Sequence, residues 1–165
     1  MLRLGLAVAV TLLTMACNPM QKAASTGPTP TPLATLATRY AQLMEPSNAA
    51  STALAKALAA PDASMTSTRA AFTSYRSALT TLGASIPQLQ ADVPASVRED
   101  VQRLRDGVTT ELGDVDAILS ATTDAAWQAA ITRWYSEVES FAGAAQLVRA
   151  DLGRPTMTSA PTPSS

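Results

Sequence analysis

The sequence predicts an all-α fold, an antiparallel up-down-up-down four-helix bundle whose first helix is kinked at Pro46. Three observations carry that expectation. Apolar side chains recur at steps of three and four in four successive segments between residues 33 and 153, the spacing that lines up one face of an α-helix. Alanine supplies 33 of the 165 residues, and 47% hydrophobic content with 15% charge and 11 prolines describes a helical domain with proline-marked ends. Two of the three links between the segments are short, which favours antiparallel neighbours.

In the first segment Leu33, Leu36, Tyr40, Leu43, Ser47, Ala50, Leu54 and Ala57 keep the rhythm straight across Pro46. Two independent helices would have no reason to share a register, so one long helix is expected, bent at Pro46 with the proline ring toward solvent. Two shorter helices are the other reading. The second segment runs through Met65, Thr68, Phe72, Tyr75, Leu79, Leu82 and Ile86, started by Pro61-Asp62 and expected to fray at Gly83 and Pro87. The third runs through Val97, Val101, Leu104, Val108, Leu112, Val115 and Leu119, opened by Asp92 and Pro94. Gly107 and Gly113 each weaken it by about 1 kcal/mol relative to alanine.

The fourth segment is the most regular. Trp127, Ile131, Trp134, Val138, Phe141, Ala145, Val148 and Leu152 form one stripe. Thr123 and Asp124 provide a cap and an acidic first turn, and Gly153 followed by Pro155 ends the helix. The four stripes are narrow, and alanine beside them is expected to let the helices approach closely while stabilising less than leucine would.

Composition removes whole classes of chemistry. There is no histidine, which excludes a Ser-His-Asp triad, a Cys-His dyad and any imidazole metal site. A single cysteine excludes an internal disulfide. Twelve Lys and Arg against 13 Asp and Glu leave a net charge of −1, with no basic excess for a phosphate backbone. The seven glycines are too scattered for a phosphate-cradling loop, and the six methionines too dispersed for a copper site. The expectation is therefore no nucleic-acid partner, no metal and no cofactor.

The leader is more informative. Arg3 precedes an apolar run over residues 4–16, which at 13 residues is shorter than the roughly 20 needed to span a bilayer and fits a signal peptide. The run closes on Leu13-Thr14-Met15-Ala16-Cys17. This resembles the lipobox of bacterial lipoproteins, with Thr14 standing where leucine is usual. The resemblance implies cleavage after Ala16 and lipid attachment to Cys17, and two acyl chains anchor stably where one is marginal. The same residues also satisfy the small-x-small rule of ordinary secretory cleavage. Asn18 does not match the aspartate that resembles an inner-membrane retention signal.

Residues 18–32 hold four prolines and three threonines and are expected to form an extended stalk, which would also suit O-glycosylation. The expected organisation is a signal peptide over 1–16, lipidated Cys17 and stalk over 17–32, a bundle over 33–153 and a disordered tail over 154–165. The lipobox, the Tyr40–Ala50 stretch and the Leu147–Gly153 segment together resemble small alanine-rich helical lipoproteins of actinobacteria. That group has no activity from which catalytic residues could be carried over.

Four groups of side chains are candidates for chemistry. Glu111, Asp114 and Asp116 could supply a buried carboxylate, since Glu111 falls on the seam in strict heptad count; the commoner arrangement puts Leu112 in the core and the three acids in water. Arg98, Glu99, Arg103, Arg105 and Asp106 read as a wet helix face, with Glu99 and Arg103 suitably spaced to pair. Trp127, Trp134 and Phe141 are expected to fill the core, with Tyr135 at its edge, against the alternative of a ligand-pocket wall. Ser47, Thr68 and Tyr75 are expected to meet in one layer and fix the helix register, or to line a small polar cavity.

These readings favour a non-enzymatic, membrane-anchored extracytoplasmic lipoprotein whose bundle is a structural or protein-interaction module. The membrane is then one partner, reached through Cys17, and an envelope protein another; in a cell with two membranes the outer one could be the site. The alternative is a binding module for an apolar small molecule or lipid in the bundle core. Carboxylate-only hydrolysis needs a cleft, which a narrow bundle seldom offers.

Overall fold

The computed structural model describes residues 31–153. The leader, Cys17, most of the stalk and the tail lie outside the described residues. Within them the chain forms four helices and no strand: α1 (Leu33–Leu58), α2 (Met65–Asp92), α3 (Arg98–Ser120) and α4 (Asp124–Asp151). Each successive pair packs closely, giving a four-helix bundle. None of these helices is long and apolar enough to cross a membrane.

The helix ends follow local chemistry. Pro32 is extended at φ −57° and ψ 138°, and its carbonyl accepts from the amides of Thr35 and Leu36. A reciprocal capping box starts α2: Ser64 Oγ accepts from the Ser67 amide, and Ser67 Oγ from the Ser64 amide. This cap lies two residues after the Pro61-Asp62 pair expected to open the helix. Thr123 Oγ1 accepts from the Ala126 amide to cap α4, as expected. Gly153 closes that helix with φ +75°, the left-handed conformation that glycine adopts without strain.

Both internal prolines stay within their helices. Helix α1 continues through Pro46, whose ring is exposed, so the unbroken three-four register does reflect one helix. The missing amide leaves the Gln42 carbonyl without its helical donor, on the exposed side where water can serve it. Helix α2 runs through Gly83 and Pro87 to Asp92 instead of fraying there, because Ile86 and Leu89 are buried and hold the last two turns to the core. Asp92 therefore ends α2 rather than opening α3, and it pairs with Arg39 across the α1/α2 face. Gln88 and Arg39 together hold its carboxyl below the usual range.

The core follows the predicted stripes with shifts in three helices: in α1 Met44 is buried in place of Leu43 and Leu33 is 47% exposed, in α4 Ala144 is buried in place of Ala145, and α3 departs furthest. Leu36, Tyr40, Met44 and Leu54 enter from α1, and Phe72, Tyr75, Leu79, Leu82 and Ile86 from α2. Trp127, Ile131, Trp134, Phe141 and Val148 enter from α4, whereas Tyr135 is 54% exposed. In α3 the buried series is Val101, Leu104, Val108, Glu111, Val115 and Ile118, so Leu112 and Leu119 fall to the half-buried flank. Steps of 3,4,3,4,3 survive in that series only if a glutamate is accepted into it.

Few alanines line the core: Ala37, Ala121 and Ala144 are the buried ones among the described residues. Close approach is achieved by glycine instead. A Cβ on Gly107 would sit 3.3 Å from the Phe141 Cα, so α3 and α4 cross there almost backbone to backbone. Gly113 meets nothing within 4 Å. The two α3 glycines thus separate by substitution. Gly113→Ala should raise the unfolding free energy by about 1 kcal/mol through helix propensity alone. Gly107→Ala should lose that gain and destabilise, because a backbone atom must move; urea unfolding of both variants checks the pair.

Candidate functional site

The polar centre of the bundle is built on Glu111. It is 1% exposed, and its Oε1 accepts from the Tyr75 hydroxyl at 3.0 Å and from the Trp134 indole N–H. One carboxylate oxygen therefore joins α2, α3 and α4. Helical spacing explains the convergence: Tyr75 and Trp134 occupy seam positions of α2 and α4, and Glu111 fills the matching seam position of α3. The Trp134 ring meets Phe72 and Tyr75 edge-on, with centroids 5.7 and 6.4 Å apart, which fixes the indole that points at Glu111.

Burial pushes the Glu111 carboxyl up from its ordinary value of 4.5, opposed by the two donors and reinforced by the charge of Asp114. Burial and the neighbouring carboxylate push the Tyr75 phenol well above its usual range, so that it stays a donor.

Asp114, one turn further along α3, is also 1% exposed. Its Oδ1 accepts from Arg133 Nε at 2.7 Å and from a second guanidinium nitrogen, while its Oδ2 is buried without a hydrogen-bond partner among the described residues. Asp116 points elsewhere and pairs on the surface with Arg76. The three acids are thus divided among three environments, and the expectation that all would be solvated holds for Asp116 alone. Donors on facing helices overturn it for Glu111 and Asp114: a carboxylate can be buried where an indole, a phenol or a guanidinium reaches it.

The other candidate groups separate as well. Ser47, Thr68 and Tyr75 do not bond one another: Ser47 Oγ donates to the Met44 carbonyl, Thr68 Oγ1 to the Ser64 carbonyl, and Tyr75 to Glu111. The register-fixing expected of that trio falls to Tyr75 with partners on α3 and α4. Arg98, Glu99, Arg103, Arg105 and Asp106 are exposed, and Arg103 clamps Glu99 and Asp100 in the first turn of α3.

Two grooves flank this centre, sharing Phe141. One lies between α3 and α4, about 470 Å³ in volume, with Arg103, Asp106, Glu111 and Glu137 around a floor that includes Gly107 and Ala144. The other, of about 370 Å³, lies between α1 and α4, with Tyr40, Met44, Ser47, Tyr75, Val138 and Ala145 among its walls. The second exists because α1 and α4 hardly approach each other, unlike the three successive pairs. Tyr40 bridges them by donating to the Ala145 carbonyl at 2.7 Å. This bond had no sequence signal beyond Tyr40 lying on the seam.

No protein-family model, curated protein or solved structure matches this chain.

The Glu111 cluster has a testable pH signature. Because burial raises the folded-state carboxyl above its ordinary value of 4.5, the contribution of Glu111 to stability is fully present below that pH and is lost as pH rises through the folded-state value. Glu111→Gln, which keeps an acceptor oxygen and cannot ionise, should gain stability relative to the parent as pH rises through that window. Glu111→Ala should cost about 3 kcal/mol by stranding two buried donors beside a cavity. Urea unfolding of the three proteins between pH 4 and 8 reads both effects; parallel parent and Gln profiles would refute the buried-carboxyl assignment.

Proposed function

We propose that this chain is a membrane-anchored extracytoplasmic lipoprotein whose helical bundle acts as a structural or protein-interaction module. The observation that carries the reading is the placement of the only cysteine, at the end of a 13-residue apolar run and directly after Ala16. A proline- and threonine-rich stretch then separates it from the first helix at Leu33. An anchored cysteine, a spacer and a bundle form a coherent sequence of parts, since an extended spacer lifts the bundle clear of the lipid.

The interior chemistry supports a non-enzymatic role. The Glu111 oxygen accepts two hydrogen bonds from other helices and Asp114 is engaged by Arg133, so both carboxylates act within the bundle to join its elements.

A second reading, a binding module for an apolar small molecule or lipid, is favoured by the α1/α4 groove, whose volume of about 370 Å³ lies within the range of small-molecule sites. Such a site would lie along a seam of the bundle rather than enclosed in its core.

Mass spectrometry of the mature N-terminus tests the main reading. The expected product begins at Cys17 and carries acyl chains, and Cys17→Ala should remain unprocessed and unacylated. An unmodified Cys17, or a mature chain beginning elsewhere, would remove the anchor and with it the membrane assignment.

A further inference from the structure

We propose that the α3/α4 groove binds a primary alkylammonium, a free monoamine with an apolar tail, whose charged head lies between Glu111 and Glu137 and whose tail runs toward Leu147. This site stands apart from both readings above and depends on neither.

The first argument is an acceptor left open at depth. Both donors to Glu111 are directed at Oε1, and its Oε2 has no hydrogen-bond partner among the described residues. Asp114 Oδ2 is also unpartnered, but it is sealed from solvent, whereas the Glu111 oxygen is not. Glu111 lines the α3/α4 groove, and its open oxygen gives onto that space. A carboxylate oxygen without a donor leaves charge uncompensated, and a cation arriving by the groove would compensate it.

The second argument is the register of the two helices. Gly107 of α3 lies against Phe141 of α4 and Glu111 meets Trp134, so the helices run antiparallel. Glu111 is one turn beyond Gly107 and Glu137 one turn before Phe141, which brings the two carboxylates to the same end of the groove. The side chains of Glu137, Thr110 and Ser140 have no partner among the described residues. The other charged groups around the groove are engaged, Arg103 by Glu99 and Asp100, and Asp106 by Gln102.

The third argument selects among cations. Nowhere among the described residues do three carboxylates gather to ligate a metal ion. An ammonium needs fewer: its three N–H donors can be accepted by two carboxylates and a hydroxyl of Thr110 or Ser140. From Glu137 to Leu147 the groove follows α4 for roughly 15 Å at 1.5 Å per residue. Beyond the acids, Gly107, Gly143 and Ala144 add no bulk, and the groove ends at Leu147, which is 45% exposed. A hydrocarbon tail laid there would cover Leu147 from water. A protein's lysine offers the same head, but its four-carbon stem meets a polar backbone before that end, so the free amine fits better.

Saturation-transfer difference NMR on the full chain in detergent micelles at pH 8 tests this with hexylamine, hexanol and hexanoate. Hexylamine should bind saturably and about tenfold more tightly than hexanol, and hexanoate should not bind. Gly143→Leu, where an added Cβ meets nothing within 4 Å, should fill the groove and abolish hexylamine binding. Ala142→Leu, in the neighbouring groove, should not. Glu111→Gln and Glu137→Gln should each cut the preference for hexylamine over hexanol to about twofold. Circular dichroism checks that the variants keep their helices, and Ser140→Leu serves as a second filling variant should Gly143→Leu unfold. Comparing parent and variants in the same micelles cancels partitioning.

Equal binding of hexanol, or any preference for hexanoate, would overturn the charge assignment. Hexylamine binding that survives the filling variants would overturn the location, and an unchanged ratio in Glu111→Gln would remove Glu111 from the site. Tighter binding of Nα-acetyl-lysinamide than of hexylamine would assign the groove to a protein's lysine instead of a free amine. Absence of saturable hexylamine binding would overturn the proposal outright.

Discussion

A carboxylate inside a helical core must find donors, and the donors of Glu111 come from two different helices. Tyr75 of α2 and the indole of Trp134 of α4 converge on one oxygen of α3. Leucines and valines can slide past one another at little cost, but this convergence cannot: a one-residue slip of α3 would expose three polar groups to apolar surroundings. Burying a carboxylate carries a desolvation cost that an apolar residue of its size does not, while its two directional hydrogen bonds discriminate between packings in a way that apolar contacts do not. The Arg133 clasp on Asp114 one turn away joins α3 to α4 a second time.

The remaining packing follows from that alignment. With α3 and α4 in register, Gly107 lies under Phe141, and the backbones can meet. Phe141 then stands between the two grooves and lines both of them. Helix α1 is held chiefly through α2, with Arg39 reaching Asp92, and it touches α4 through the Tyr40 hydroxyl. The open seam of the bundle is therefore the one between its first and last helices, which no short loop joins and the Glu111 cluster does not include.

Much of this was legible in the sequence. The α4 stripe, its Thr123 cap and its Gly153 stop all follow from local chemistry that the tertiary structure has no reason to override. The register across Pro46 carried the correct inference of one helix, because a proline on the wet face need not break a helix that buries residues on both sides of it. The same logic, applied to Ile86 and Leu89, would have carried α2 past Pro87. Glu111 was half legible: strict heptad counting placed it inside, and its charge argued it out. The deciding facts were a phenol and an indole 36 and 23 residues away in the chain, and no local pattern displays those. Asp114 was hidden for the same reason. The grooves were not legible at all, since they depend on where helices fail to meet, and most of the alanines expected to draw them together face solvent.

The claim that a polar cluster selects the packing can be separated from any claim about stability by removing all three members at once. In Glu111→Met/Tyr75→Phe/Trp134→Phe no buried donor is left stranded, so the helices and the melting temperature should survive. The deciding measurement is the amide NMR spectrum of that triple variant. Several or broadened resonances for α3, with loss of its unique contacts to α2 and α4, are the predicted result. A single sharp set with the parent's interhelical contacts would show that apolar packing alone dictates the register, and would contradict a register-selecting role for Glu111.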